Sequence, residues 1–153
     1  MTKPDSSAKK CLTFRIGDQE YGLDILRVQE IRSYEPPTRI ADAPGWHRGV
    51  INLRGVIVPI VDLRIRLGCE AIYNTFTVVV VLNVKGRTIG IVVDSASDVL
   101  EVSPGQARAV RSIPNPDHQT YVTYMVIVSD RQILIVDIES LLCDPAMGLI
   151  GSV

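Results

Sequence analysis

The chain carries one β-rich pattern twice, and this repetition limits the folds open to it more than any other feature. Asp62 and Asp137 lie 75 residues apart, and aligning them sets Ile60-Val61-Asp62-Leu63 over Ile135-Val136-Asp137-Ile138, with apolar residues opposite Val50, Ile51, Leu53, Val58, Ile60 and Val61. A second pair of segments agrees at a spacing of 68 residues: Tyr21-Gly22-Leu23 with Val28-Gln29-Glu30-Ile31 resembles Ile89-Gly90-Ile91 with Ala96-Ser97-Asp98-Val99. Solenoid repeats run to roughly 20–50 residues, so a period this long points to a small barrel written twice.

Within each copy the elements are short strands. Leu12, Phe14 and Ile16 alternate with Thr13 and Arg15, and Gly17-Asp18 then turns the chain into Tyr21-Gly22-Leu23, which is a hairpin pattern. Ile25, Val28 and Ile31 fall three apart after Asp24, predicting a short helical turn capped by Asp24 and then an extended segment over 30–34. Val50–Leu53, Arg54-Gly55 and Val56–Val61 form a second hairpin, with Gly55 supplying a positive φ. Pro59 cannot donate to a ladder and belongs on an edge or at a bulge. Thr77–Val93 and Tyr121–Val136 give two more hairpins, and the unbroken Val78–Leu82 run has no polar face, predicting burial on both sides where the copies join. Asp62 and Asp137 each precede a short helix, as Asp144-Pro145 does. The Pro-rich stretches 35–46 and 103–118 read as crossing loops, and polar residues 1–10 as a disordered leader. With aromatic residues at only 5%, the core must come from Val, Ile and Leu, which favours an all-β fold of two small barrels packed together.

Little in the chain does chemistry. His47 and His118 stand outside any catalytic motif, and the glycines form no phosphate-binding pattern. Asp24, Asp62, Asp94 and Asp137 read as caps rather than metal ligands. Cys11, Cys69 and Cys143 lack metal or disulfide spacing, and only Cys11, beside Lys9 and Lys10, has the positive neighbours of a reactive thiol. These features point away from an enzyme and toward no cofactor and no metal. A net charge of −1 without a basic run removes the usual source of nucleic-acid affinity. Phe76–Val84 is about half the length that spans a bilayer, so no direct membrane insertion is expected.

Three segments carry a family resemblance: EYGLDILRVQEIR (20–32), GVINLRGVIVPIVDLRIRLG (49–68) and TVVVVLNVKGRTIGIVVDSASDVL (77–100). Together they resemble the CheW family of bacterial chemotaxis coupling proteins, from about Cys11 to Leu142. The resemblance implies two five-stranded SH3-like β-barrels with a few short helical turns. They would form a single domain over 11–153 from two intertwined subdomains, roughly 11–70 and 75–150. It implies a non-catalytic adaptor, cytoplasmic at membrane-associated receptor arrays, with two partners: the regulatory domain of the histidine kinase CheA and the cytoplasmic tip of a methyl-accepting chemoreceptor. Self-association in rings is a further implied contact.

Carried over by position, the resemblance places Val28, Glu30 and Ile31 at a receptor-facing site, with Arg54 and Gly55 of the NLRG turn beside them and Val79 and Val99 completing an apolar groove. On base rates Val28, Ile31, Val79 and Val99 are core residues more often than interface residues, an objection that the charged Glu30 and Arg54 escape. No motif carries over to Pro114–His118. The competing function class is a nucleic-acid-binding module, since small SH3-like barrels often serve that role.

Overall fold

The computed structural model describes residues 9–103, 107–109 and 122–142. In chain order the elements are β1 (Lys9–Ile16), β2 (Gln19–Asp24), a 3₁₀ turn (Ile25–Arg27), β3 (Val28–Ser33), β4 (His47–Leu53), β5 (Val56–Asp62), α1 (Leu63–Arg66), β6 (Val78–Val84), β7 (Arg87–Val93), β8 (Ser95–Val102), β9 (Ala107–Ala109), β10 (Val122–Val128), β11 (Arg131–Val136) and α2 (Ile138–Leu142). They form two sheets, a six-stranded one in the order β8-β1-β2-β11-β10-β9 and a five-stranded one in the order β3-β6-β7-β5-β4. The sixth strand is the short β9 against β10, and the other sheet has a single bridge, Thr38 to Val50, in the corresponding place.

The strand orders show how the duplicated units are used. Each sheet takes the first hairpin of one unit and the later strands of the other: β1-β2 joins β8, β10 and β11, while β6-β7 joins β3, β4 and β5. The two exchanged hairpins are held by parallel pairs, Ile135 opposite Gly22 and Ile60 opposite Gly90. The sheets therefore do not divide the chain near residues 70–75, where the repeat divides.

Three apolar clusters follow from this arrangement. Leu53, Val58, Ile60, Val79, Val81 and Val92 fill the inside of the five-stranded sheet, and Cys11, Val102, Val126, Ile133 and Ile135 fill the six-stranded one. A larger cluster lies between the sheets, with Phe14, Tyr21, Leu23, Val80, Leu82 and Ile91 among its members. Along β6, Val79 and Val81 face one core while Val80, Leu82 and Val84 face the other, so the run without a polar side is buried on both.

Several local expectations need correction. β1 begins at Lys9 and pairs with β8 through Lys9 opposite Val102, so the last two residues of the expected leader are strand. β5 is an interior strand, and Pro59 is tolerated there because the ladder to β7 starts only at Ile60. Asp24, Asp62 and Asp137 accept from backbone N–H groups as caps, but Asp94 joins β7 to β8 and caps nothing; its carboxylate accepts from Gly17 N at 2.7 Å and from Arg64 at 2.9 Å. Cys11 is buried, which removes it as a reactive thiol, and burial holds the Cys69 thiol above its ordinary pKa. The expected features at residues 1–8, His118, Pro114–His118, Cys143 and Asp144-Pro145 lie outside the described residues.

Candidate functional site

The site grows from a two-residue turn. Arg54 (φ 51°) and Gly55 (φ 88°) link β4 to β5 with both residues left-handed, a geometry that matches the twist of the flanking strands. Asn52 locks the turn by accepting from Gly55 N at 2.8 Å. The same chemistry recurs in the β6-β7 turn, where Lys85 and Gly86 are left-handed and Asn83 accepts from Gly86 N. Asn-x-x-Gly is thus a scaffold device in this chain, and what distinguishes the first turn is where its arginine points.

Arg54 reaches across to the edge strand β3, donating from Nη2 to the Glu30 carboxylate at 3.1 Å. Arg32 approaches the same oxygen at 3.8 Å. The pair is loose, with the Arg54 side chain 67% exposed and Glu30 shared between two cations. Ile31, between the two charged residues on β3, is 44% exposed. Val56 and Ile57, which follow the turn, are exposed as well, and the sequence pattern did not single them out. Between β3 and β4 lies an open cleft of about 250 Å³, lined in part by Arg32, Ser33, Val50, Ile51, Ile60 and Val79.

The remaining candidates divide. Val79 is buried in the core of the five-stranded sheet, and Val28 is half-buried against the cluster between the sheets, so both support β3 from beneath. Val99 is 48% exposed, but it sits on β8, the edge strand of the other sheet, opposite Leu12. In the duplicated pattern β8 is the counterpart of β3, and Val99 is the counterpart of Ile31.

The counterpart edge has its own ion pair, and the comparison is informative. Asp98 on β8 meets Arg131 at 3.4 Å, just as Glu30 on β3 meets Arg54. Arg131, however, is clamped by Glu20 with contacts of 3.1 and 2.5 Å. Asp98 also accepts from the buried Thr13 hydroxyl, and that bond, then Arg131, holds its carboxyl below the ordinary value. One edge therefore has an arginine clamped by a third residue, with its contact to the half-exposed Asp98 secondary, and the other has an arginine that is largely in water and whose acceptor is shared with Arg32. Exposed charges of the second kind set specificity and encounter rate rather than stability.

A second cluster escaped sequence reasoning. The Arg64 side chain is fully buried at the start of α1. It donates to both oxygens of Asp62 (2.9 and 2.8 Å), to Asp94 (2.9 Å) and to the Ile72 carbonyl (2.9 Å). Burial opposes its charge, but the hydrogen bonds to Asp62 and Asp94 outweigh this and raise its pKa. Tyr73 lies over the guanidinium at 4.7 Å and donates to Asp62 at 2.5 Å, and its phenol is pushed up to about 12 by burial and then by that bond. A signal was present in the repeat: Arg64 and Asp94 stand where the other copy has Glu139 and Leu26.

Among the described residues no group of side chains is arranged to hold a metal ion, and no helix is long and apolar enough to cross a membrane. Comparison with known proteins gives a consistent result. The CheW-like domain family matches residues 10–146. A relative from Klebsiella aerogenes named chemotaxis protein CheW is 43% identical, covering 97% of this chain and 90% of its own. Another of the same name from Rhizobium meliloti is 36% identical over 88% of each. The crystal structure of the scaffolding protein TtCheW from Thermoanaerobacter tengcongensis superposes with a TM-score of 0.81 at 26% identity, covering 88% of this chain and 92% of that one. With the repeat, the two sheets and the relatives agreeing over almost its whole length, the chain belongs to the CheW-like domain family, whose members serve chemotaxis as non-catalytic scaffolding adaptors.

Proposed function

We propose that this chain couples the cytoplasmic tip of a methyl-accepting chemoreceptor to the regulatory domain of the histidine kinase CheA, in the cytoplasm at membrane-associated arrays. The receptor tip docks at the β3 edge, where Glu30, Ile31, Arg54 and Gly55 form the contact surface, Val28 and Val79 back it, and Val99 on β8 adds apolar surface. The observation that carries this reading is the exposed Arg54, paired with Glu30 beside exposed Ile31, set against the counterpart edge, where Glu20 clamps Arg131. A helical hairpin presenting apolar residues and a complementary charge suits such an edge. Nucleic-acid binding is not favoured, because the matched relatives are named for chemotaxis and the chain is weakly acidic.

The test is a reconstituted mixture of receptor and kinase. Adding this protein is expected to raise CheA autophosphorylation, and equal activity with and without it rejects the proposal. Arg54→Glu is expected to remove most of that increase while the circular-dichroism spectrum stays that of the folded protein; a melted spectrum gives Arg54 a structural role instead.

A further inference from the structure

The Arg64 cluster grips the chain at two places that matter for the proposed docking edges. Asp94, which takes the Arg64 Nη1 hydrogen, is the residue immediately before β8. Its other oxygen accepts from Gly17 N in the β1-β2 turn, so the contact also reaches the other sheet. Tyr73, which donates to Asp62 and covers the guanidinium, packs its ring on Tyr34 at 4.6 Å, and Tyr34 is the residue immediately after β3. Tyr34 N donates to the Thr77 carbonyl at 3.1 Å, and the Arg48 guanidinium of β4 lies 5.7 Å from the Tyr73 ring centroid. One connected set of side chains thus holds the end of β3 and the beginning of β8.

Among the described residues the duplicated end has no matching device. At the duplicated end Glu139 replaces Arg64 and Leu26 replaces Asp94, and Glu139 makes a partly exposed contact with Arg27 at 3.6 Å. A buried arginine between two carboxylates is seldom the most stabilising choice, since well-packed apolar residues often serve a core equally well. What a guanidinium adds is direction, because its planar fork fixes where each partner sits.

We propose that the Asp62–Arg64–Asp94–Tyr73 cluster is a positioning device that sets the β3 edge against the β8 edge, so that Ile31 and Val99 meet one receptor tip together. This rests on the docking role given above to those edges. Arg64 and Tyr73 touch no partner; they act through Tyr34 and Asp94 on the strands that do.

The experiment uses the full chain and two conservative variants, Tyr73→Phe, which keeps the ring and removes the bond to Asp62, and Asp94→Asn, which keeps the shape and removes a charge. Binding to a soluble receptor-tip fragment and to the kinase regulatory domain is measured by calorimetry, and the Ile31 and Val99 methyl signals are followed by NMR. The expected result is a loss of about tenfold in receptor-tip affinity, the scale of one buried hydrogen bond. Both methyl signals shift, while kinase-domain affinity stays close to that of the parent and the variants remain folded at the assay temperature. If Tyr73→Phe fails to fold, Asp94→Asn carries the same test. Folded variants with unchanged tip affinity and unmoved methyls overturn the positioning role. Arg54→Glu separates the two failures: a variant that binds the tip as the parent does rejects the docking site itself, and the methyl shifts alone then decide whether the cluster sets the two edges.

Discussion

At the scale of single residues, two arginines of this chain show how environment decides what a charge is for. Arg64 has no exposed side-chain surface and four acceptor atoms around it, whereas Arg54 is mostly in water and donates to Glu30. Removing Arg64 leaves Asp62 buried without its cation, so Arg64→Ala is expected to cost about 3–5 kcal/mol in urea unfolding. Arg54→Ala is expected to cost less than about 1 kcal/mol, because exposed pairs contribute little, and to act on receptor coupling instead. Tyr73 offers a pH readout. Its folded-state pKa of about 12 lies above the ordinary tyrosine value, so its contribution to stability is complete below that ordinary value of about 10 and is lost as the pH rises toward 12. The stability difference between the parent and Tyr73→Phe should therefore shrink over that window, and a constant difference would contradict the assignment. Neither Arg64 nor Tyr73 was visible as important in the sequence, since a short Leu-Arg-Ile-Arg helix reads as a solvated face; burial by the segment 69–77 changes its meaning.

At the scale of elements, the duplicated glycines explain themselves only once the strands are paired. Gly22 and Gly90 occupy matching places, each opposite an isoleucine of the parallel neighbour. A Cβ at Gly22 would stand 2.9 Å from Ile135 Cδ1, with the next atoms at 3.4 Å or beyond. One at Gly90 would stand 2.8 Å from both Ile60 Cδ1 and Val79 Cγ1. Each Gly→Ala change is expected to destabilise by about 1–3 kcal/mol through overpacking. Trimming the facing isoleucine to valine removes Cδ1, so Ile135→Val should restore most of the loss at Gly22. Ile60→Val should restore only part of it at Gly90, where Val79 remains in the way. Thermal unfolding of the single and double variants checks the difference. The sequence showed the glycines and the isoleucines as repeated motifs, and alternation along β1 and apolar runs along β5 and β6 showed strands. It did not show that Gly22 belongs with Ile135 rather than with Ile60, because the pairing lies in another part of the chain.

At the scale of the whole molecule, the exchange of hairpins ties the two halves into one folding unit. A chain cut between Gly68 and Thr75 would separate β1-β2 from β8, β10 and β11, and β6-β7 from β3, β4 and β5. Each fragment is expected to be unfolded alone by circular dichroism, and the mixture to recover a β spectrum. Two fragments that fold independently would contradict the exchange. The interleaving also separates the candidate site residues, since Ile31 and Val99 sit on edge strands of different sheets that the Arg64 cluster connects.

The strands, the Arg54-Gly55 turn, three of the four aspartate caps and the duplication were legible before any fold was known, because each is written in local periodicity or in a residue's own backbone preference. The sequence also marked Glu30 and Arg54 through the family resemblance. The fold, through contacts between distant segments, set which hairpin completes which sheet, that Val79 is buried and Val28 half-buried while Ile31 and Val99 stay exposed, and that Glu20 clamps Arg131 while Arg54 remains largely in water. Those outcomes depend on residues far apart in the chain competing for the same acceptors and the same space, and no local pattern encodes the result.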